Sequence, residues 1–276
     1  MQATTFVNMT FVKSGVLGFA AAAALSLCAT TAQAAPRADA VTWKDGATTL
    51  SGFVVWDDAS SAKRPGLLMV PNWHGVNDIA VAKAKMIAGK DYVILLADMY
   101  GKGVRPADNK AAGEAVKPFY GDRKLMMERV NAAWAALKAQ GSKAPIDMTR
   151  LGAIGFCFGG SAVLDLARSG TVPSGGIVTF HAGLNPDDAA NAKSIKSRLL
   201  VLNGANDQGA WPDTDKFFAE MRASGTDWQF VNIGGAVHCF TETEEHSPGN
   251  CTYNAEASKR GYRMMRDFFD ESFAKK

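Results

Sequence analysis

The chain has 276 residues, of which 47% are hydrophobic and 21% charged, a globular balance that excludes disordered and collagen-like architectures. Its formal net charge is only +3 and its basic residues are scattered, so no nucleic-acid partner and no attachment to an acidic membrane surface is expected. Length alone admits one large α/β domain or two small ones.

The first 34 residues read as a cleaved signal peptide. Lys13 supplies the positive end, residues 16–27 form an alanine-rich apolar run, and Ala32-Gln33-Ala34 gives the small-x-small pattern for cleavage between Ala34 and Ala35. Met9 is as good a start as Met1, because a complete signal still follows it. The apolar run is too short for a membrane span, so no stable anchor is expected. A lipoprotein reading would use Leu25-Ser26-Leu27-Cys28, where leucine before the cysteine fits poorly; an apolar helix kept in the fold is the other alternative. The expectation is a periplasmic or secreted protein with a single domain over 35–276.

Beyond the signal, strand and helix patterns alternate. Residues 41–43 and 48–56 suit an antiparallel hairpin at a sheet edge. The apolar run 67–70 stops at Pro71, and a helix follows over 77–88, with Asn77-Asp78 as its cap and Gly89 past its end. Residues 92–97 form another wholly apolar strand of the kind a parallel sheet buries on both faces. The stretch 100–120, rich in Gly, Lys and Ala, reads as a long irregular loop placed to rim or cover a site. Met126, Val130, Trp134 and Leu137 recur at helical spacing within 122–140. Strands are expected at 151–156, 177–180, 199–202 and 229–233, and helices from 158 to 168, over 213–223 and over 255–273. In the last of these, Ala257, Gly261, Met264 and Phe268 line one side. This alternation predicts an α/β fold: one mostly parallel, doubly wound sheet with helices on both faces.

Export shapes the reading of the cysteines. Cys28 leaves with the signal, so Cys157, Cys239 and Cys251 remain, an odd number in an oxidising compartment. Cys239 and Cys251 flank a polar, turn-rich stretch, and a disulfide between them would contribute roughly 3 kcal/mol in the chain-entropy model. Two free thiols are the alternative.

Chemistry concentrates at Gly155-Phe156-Cys157-Phe158-Gly159-Gly160, between a strand and a helix. This is the form of a nucleophile elbow with cysteine at its centre, where a strained turn requires small neighbours. The helix N-terminus beyond it favours a thiolate. A buried structural cysteine is the alternative. Asp207 follows just after the strand 199–202, and His238 just after 229–233. Nucleophile, acid and base then stand in the chain order of α/β-hydrolases, each beyond the C-terminal end of a strand. An oxyanion hole needs two backbone N–H donors, expected from Phe158 and from Trp73 in Pro71-Asn72-Trp73-His74-Gly75.

Several segments taken together resemble the dienelactone hydrolase family: Asn72-Trp73-His74-Gly75-Val76-Asn77, Ala97-Asp98-Met99-Tyr100-Gly101, the Cys157 turn, Gly204 to Asp207, and His238 to Phe240. The resemblance implies the α/β-hydrolase fold, no metal and no organic cofactor. It implies that a small ester or lactone is cleaved through a Cys157 thioester acyl-enzyme, with His238 as base then acid and Asp207 as its orienter. Two positions depart from the family pattern. Members that open dienelactones carry a glutamate where Asn72 stands and an arginine, which holds the substrate carboxylate, where Glu242 stands. Glu242 would repel such a carboxylate, so a neutral or differently anchored ester is as good a candidate substrate as a dienelactone.

His181, at the end of strand 177–180, and His74 and Asn72, beside the oxyanion turn, are candidate substrate contacts. The spacings of His74, His181 and His238 match no metal-ligand pattern. Two other functions are open: a non-catalytic binder of small ligands on the same fold, and a redox thiol in which Cys239 would resolve Cys157.

Overall fold

The computed structural model describes Met1 and residues 36–274; the signal-peptide reading and its cleavage point lie outside the described residues. Eight strands form one sheet. β1 (Arg37–Asp45) and β2 (Thr48–Trp56) make the expected antiparallel edge hairpin, and β2 pairs antiparallel with β4 (Val93–Leu96). From there the sheet is parallel through β3 (Arg64–Val70), β5 (Ile146–Phe156), β6 (Ile177–Phe180), β7 (Leu199–Gly204) and β8 (Trp228–Ile233), in the order β1-β2-β4-β3-β5-β6-β7-β8. β3, β4, β6 and β7 are buried along their whole length, because crossover helices cover both faces of the sheet.

Alternation along each strand divides the core in two. Leu68 and Val70 point to the face packed by α2 (Asn109–Gly121), α3 (Arg123–Lys138), α4 (Phe158–Arg168) and α5 (Trp211–Ser224). Leu67 and Met69 point to the face packed by α1 (Asp78–Ala88) and α6 (Ala255–Ala274). The expected cap forms at α1, where the Asn77 side chain accepts from the Ala80 N–H at 2.8 Å; α3 is capped too, by Asp122, which accepts from the Leu125 N–H at 3.0 Å. On α6 the buried methionine is Met265, with Met264 only partly buried beside it.

The stretch 100–120 corrects the expectation of an irregular loop. Its second half is helix α2, capped by Asp108, whose carboxylate accepts from the Ala111 N–H at 2.8 Å. Ala112, Val116 and Phe119 share its buried face, and that burial outweighs the cost of an internal Gly113 and Pro118. Only the segment before Asp108 is irregular, and α2 brings Phe119 and Tyr120 against Phe158.

Candidate active site

β5 ends in the buried Gly155-Phe156 and the chain turns at once into α4. Cys157 sits in that turn with φ 52° and ψ −117°, a conformation an L-residue adopts only when its surroundings impose it, at a cost of about 1–3 kcal/mol. The imposition comes from both sides. The Cys157 N–H donates to the Phe180 carbonyl at 3.0 Å, and its carbonyl accepts from the Ser161 N–H at 3.1 Å. A Cβ on Gly155 would collide with the carbonyl of Gly159, so the turn closes only with glycine there.

The three residues separated in sequence come together at this turn. Asp207, 5% exposed, lies in the turn after β7, where its N–H donates to the Gly204 carbonyl at 3.0 Å. Its Oδ2 lies 2.7 Å from His238 Nδ1, and His238 Nε2 lies 3.2 Å from Cys157 Sγ. With the carboxylate on Nδ1, that nitrogen bears the hydrogen and Nε2 faces the sulfur. Burial pushes the Cys157 thiol up, but hydrogen bonding from His181 and His238 more than offsets it and brings the group to about 6. Burial lowers His238, whereas Asp207 and the neighbouring sulfur lift it to about 10. Both shifts favour thiolate and imidazolium over the neutral pair.

The two backbone N–H groups expected as oxyanion donors belong to the turns after β5 and β3. Phe158 is the first residue of α4, so its N–H has no carbonyl one turn back, and the Cys157 side chain does not cap it. In the turn after β3 the Gly75 N–H bonds the Asn72 carbonyl at 2.9 Å and the His74 N–H bonds Asn72 Oδ1 at 3.0 Å. The Trp73 N–H takes part in neither bond, while its carbonyl accepts from the Tyr100 hydroxyl at 2.6 Å. Tyr100 also stacks on Phe158, with ring centroids 5.7 Å apart.

Of the candidate substrate contacts, His74 is partly buried, 3.9 Å from Glu245 and edge-on to Trp73. Asn72 is spent internally: its Nδ2 donates to Glu242 Oε2 at 2.7 Å. His181 is fully buried, its Nε2 2.8 Å from Thr241 Oγ1. Glu242 was expected to face the substrate and repel a carboxylate. Instead it is 2% exposed and paired with Lys83 at 2.6 Å, so its charge is neutralised within the protein. Sequence reasoning missed Lys83, whose signal is its place between Ala80, Ala84 and Ile87 on the buried face of α1. Among the described residues no group of three His, Cys, Asp or Glu side chains is arranged to hold a metal ion.

Cys239 and Cys251 are joined in a disulfide and Cys157 is free, so Cys239 is not available to resolve it. The bridge closes a small hairpin of β9 (His246–Ser247) and β10 (Cys251–Thr252), and the Thr252 N–H donates to the His238 carbonyl at 3.1 Å. The loop that carries His238 is thus braced right beside its imidazole.

A mostly parallel sheet that delivers a nucleophile from a strand-to-helix turn, beside a histidine–carboxylate pair from later strand ends, is the layout of an α/β-hydrolase. The model of the dienelactone hydrolase family matches residues 50–273. The chain belongs to that family and is a hydrolase, a member of a group that the ester-hydrolase class fits. A dienelactone hydrolase-like promiscuous phosphotriesterase from metagenomic libraries is 36% identical, with a TM-score of 0.78 over 86% of this chain and 98% of that one. A Methylorubrum extorquens protein named "Putative carboxymethylenebutenolidase" is 28% identical over 217 residues, 74% of this chain and 71% of its own. A dienelactone hydrolase from Anabaena variabilis, 18% identical, shares the fold with a TM-score of 0.61 over 86% of this chain and 98% of its own. No helix among the described residues is long and apolar enough to cross a membrane.

Proposed function

We propose that the protein is an exported hydrolase of small carboxylic esters or lactones that works through a Cys157 thioester. The observation that carries this is the hydrogen-bonded line from Asp207 through His238 to Cys157 Sγ. The thiolate attacks the ester carbonyl, and the oxyanion that forms is held by the N–H groups of Phe158 and Trp73. His238 then gives its proton to the departing alkoxide and afterwards takes one from the water that releases the acid. Export rests on the N-terminal signal pattern, with Ala35 as the first mature residue. A neutral acyl group is the simpler reading, because the charge at Glu242 is buried on Lys83 and no longer faces a substrate.

The pH dependence tests this reading. Below about 6 the sulfur binds a proton and the nucleophile is lost. Above about 10 the imidazolium loses the proton that a leaving alkoxide needs. The two steps belong to the pair as a whole. The expected result is an acid limb in kcat/KM for both an aryl and an alkyl ester, and an alkaline limb for the alkyl ester only, since a nitrophenolate departs unaided. A profile with no acid limb for either ester would contradict the thiolate.

A further inference from the structure

The loop that presents His238 has a weak point immediately beyond the imidazole. Ala236 and Phe240 are fully buried and fix its two ends. Ala236 is also held through its carbonyl, which accepts from the Asn206 N–H at 2.9 Å. Between these anchors the chain turns at Cys239, whose φ of 61° is left-handed, a conformation that L-residues other than asparagine and aspartate seldom adopt. Left to itself this residue would relax to a negative φ, and the peptide joining residues 238 and 239 would rotate with it. The neighbouring segment does not prevent that by packing. None of residues 243–256 is buried, and a segment of this kind opens locally at little cost. Main-chain bonds hold it to the loop: the Thr252 N–H donates to the His238 carbonyl and the Asn254 N–H to the Phe240 carbonyl, both at 3.1 Å. The Cys239–Cys251 disulfide cross-links the same two stretches, one residue from His238 on one side and one residue from Thr252 on the other.

We propose that the Cys239–Cys251 disulfide is a positioning pair for His238: it holds the left-handed turn that aims Nε2 at the sulfur, so the line from Asp207 to Cys157 is complete only in the oxidised protein. Opening the bridge takes two electrons, which a phosphine can supply. The phosphorus attacks one sulfur and the S–S bond breaks. Water then gives its two protons to the two sulfurs and its oxygen to the phosphine oxide, and two thiols remain. Cys239 is thereafter free to leave its left-handed turn, against the Thr252 bond alone. The imidazole reaches the sulfur at 3.2 Å, and a displacement of about 1 Å in a catalytic group lowers a rate by on the order of 100-fold.

The effect is confined to the imidazole. The titratable side chains that meet it are Asp207, Cys157 and His181, whose ring lies 5.1 Å from that of His238. None of them is carried by the cross-linked hairpin. Asp207 keeps its turn through the bond from its N–H to the Gly204 carbonyl, and Cys157 keeps its own through Phe180 and Ser161. Nucleophile and carboxylate therefore stay in place while the residue between them moves.

The proposal rests on the hydrolase reading of this line, and its test separates the two. The protein is reduced with tris(carboxyethyl)phosphine, the reductant is removed, and kcat/KM is measured for ethyl acetate and p-nitrophenyl acetate. The alkyl ester is expected to lose about 100-fold. The aryl ester should lose clearly less, because a nitrophenolate departs without a proton from His238. Reoxidation restores both. Alkylation by iodoacetamide, followed against pH on the Cys157 peptide by mass spectrometry, should show its midpoint moving toward the ordinary thiol value of about 8.5 as the imidazole withdraws. A bridge that serves only the fold would lower both esters equally, with the folded fraction, and leave that midpoint where it was. Either that result or an unchanged kcat/KM in the reduced protein would overturn the proposal. Where reduction stays incomplete, the Cys239→Ser/Cys251→Ser double variant decides by the same readouts. A wild type that hydrolyses neither ester would sink the hydrolase reading, and the Cys157 midpoint would still decide this one.

Discussion

Cys157→Ala is expected to lower kcat/KM for p-nitrophenyl acetate by on the order of 10⁴-fold, while the circular dichroism spectrum stays that of the wild type. The substitution removes the sulfur and leaves everything around it. The N–H groups of Phe158 and Trp73 remain, and Asp207 still orients His238, 2.7 Å away. What survives is the modest acceleration that binding and an oxyanion hole give without a nucleophile. Cys157→Ser should also be strongly impaired, because a hydroxyl in this turn is not ionised as the thiol is, with its midpoint near 6. A Cys157→Ala protein within about tenfold of the wild type would mean that His238 activates water directly and that no covalent intermediate is needed.

Gly159→Ala is expected to destabilise the fold by more than about 4 kcal/mol, or to prevent soluble folding altogether. A Cβ at this position would collide with the carbonyls of Val70 and Pro71. Neither side can retreat: Val70 is paired in register with Gly155 across the parallel β3–β5 ladder, and Gly159 belongs to the first turn of α4, buried along its whole length. Relief would move the helix that carries the Phe158 N–H away from the sulfur, so stability and activity should fall together. Gly234→Ala is the control, since a Cβ there meets nothing within 4 Å, and it should cost less than about 0.5 kcal/mol. Urea unfolding of the three proteins compares them directly. A Gly159→Ala midpoint equal to that of the wild type would show that the β3 end and the α4 start are less tightly docked than described.

Most of the architecture was legible because it is written locally. A strand such as β4 is an unbroken apolar run, and helix starts such as Asn77 and Asp122 carry their own caps. The order of Cys157, Asp207 and His238 was readable for the same reason, each lying just past a strand. Helix α2 was hidden because Gly113 and Pro118 obscured the spacing of Ala112, Val116 and Phe119, and tertiary packing decided the outcome. The buried charge network was hidden for a different reason. Asn72 and Glu242 are 170 residues apart and bond at 2.7 Å, and nothing in either segment names the other as its partner. Each stood out alone as a departure from the family pattern. Only the fold shows that the two departures meet each other, with Lys83 and His181 completing the set.

Mass spectrometry of the protein, quenched during turnover of a slow ester, tests the central claim most directly. The predicted species is the chain with one acyl group added, mapped to the Cys157 peptide and removed by hydroxylamine as a thioester is. Turnover with no acyl group on Cys157, or with the label on another residue, would contradict it.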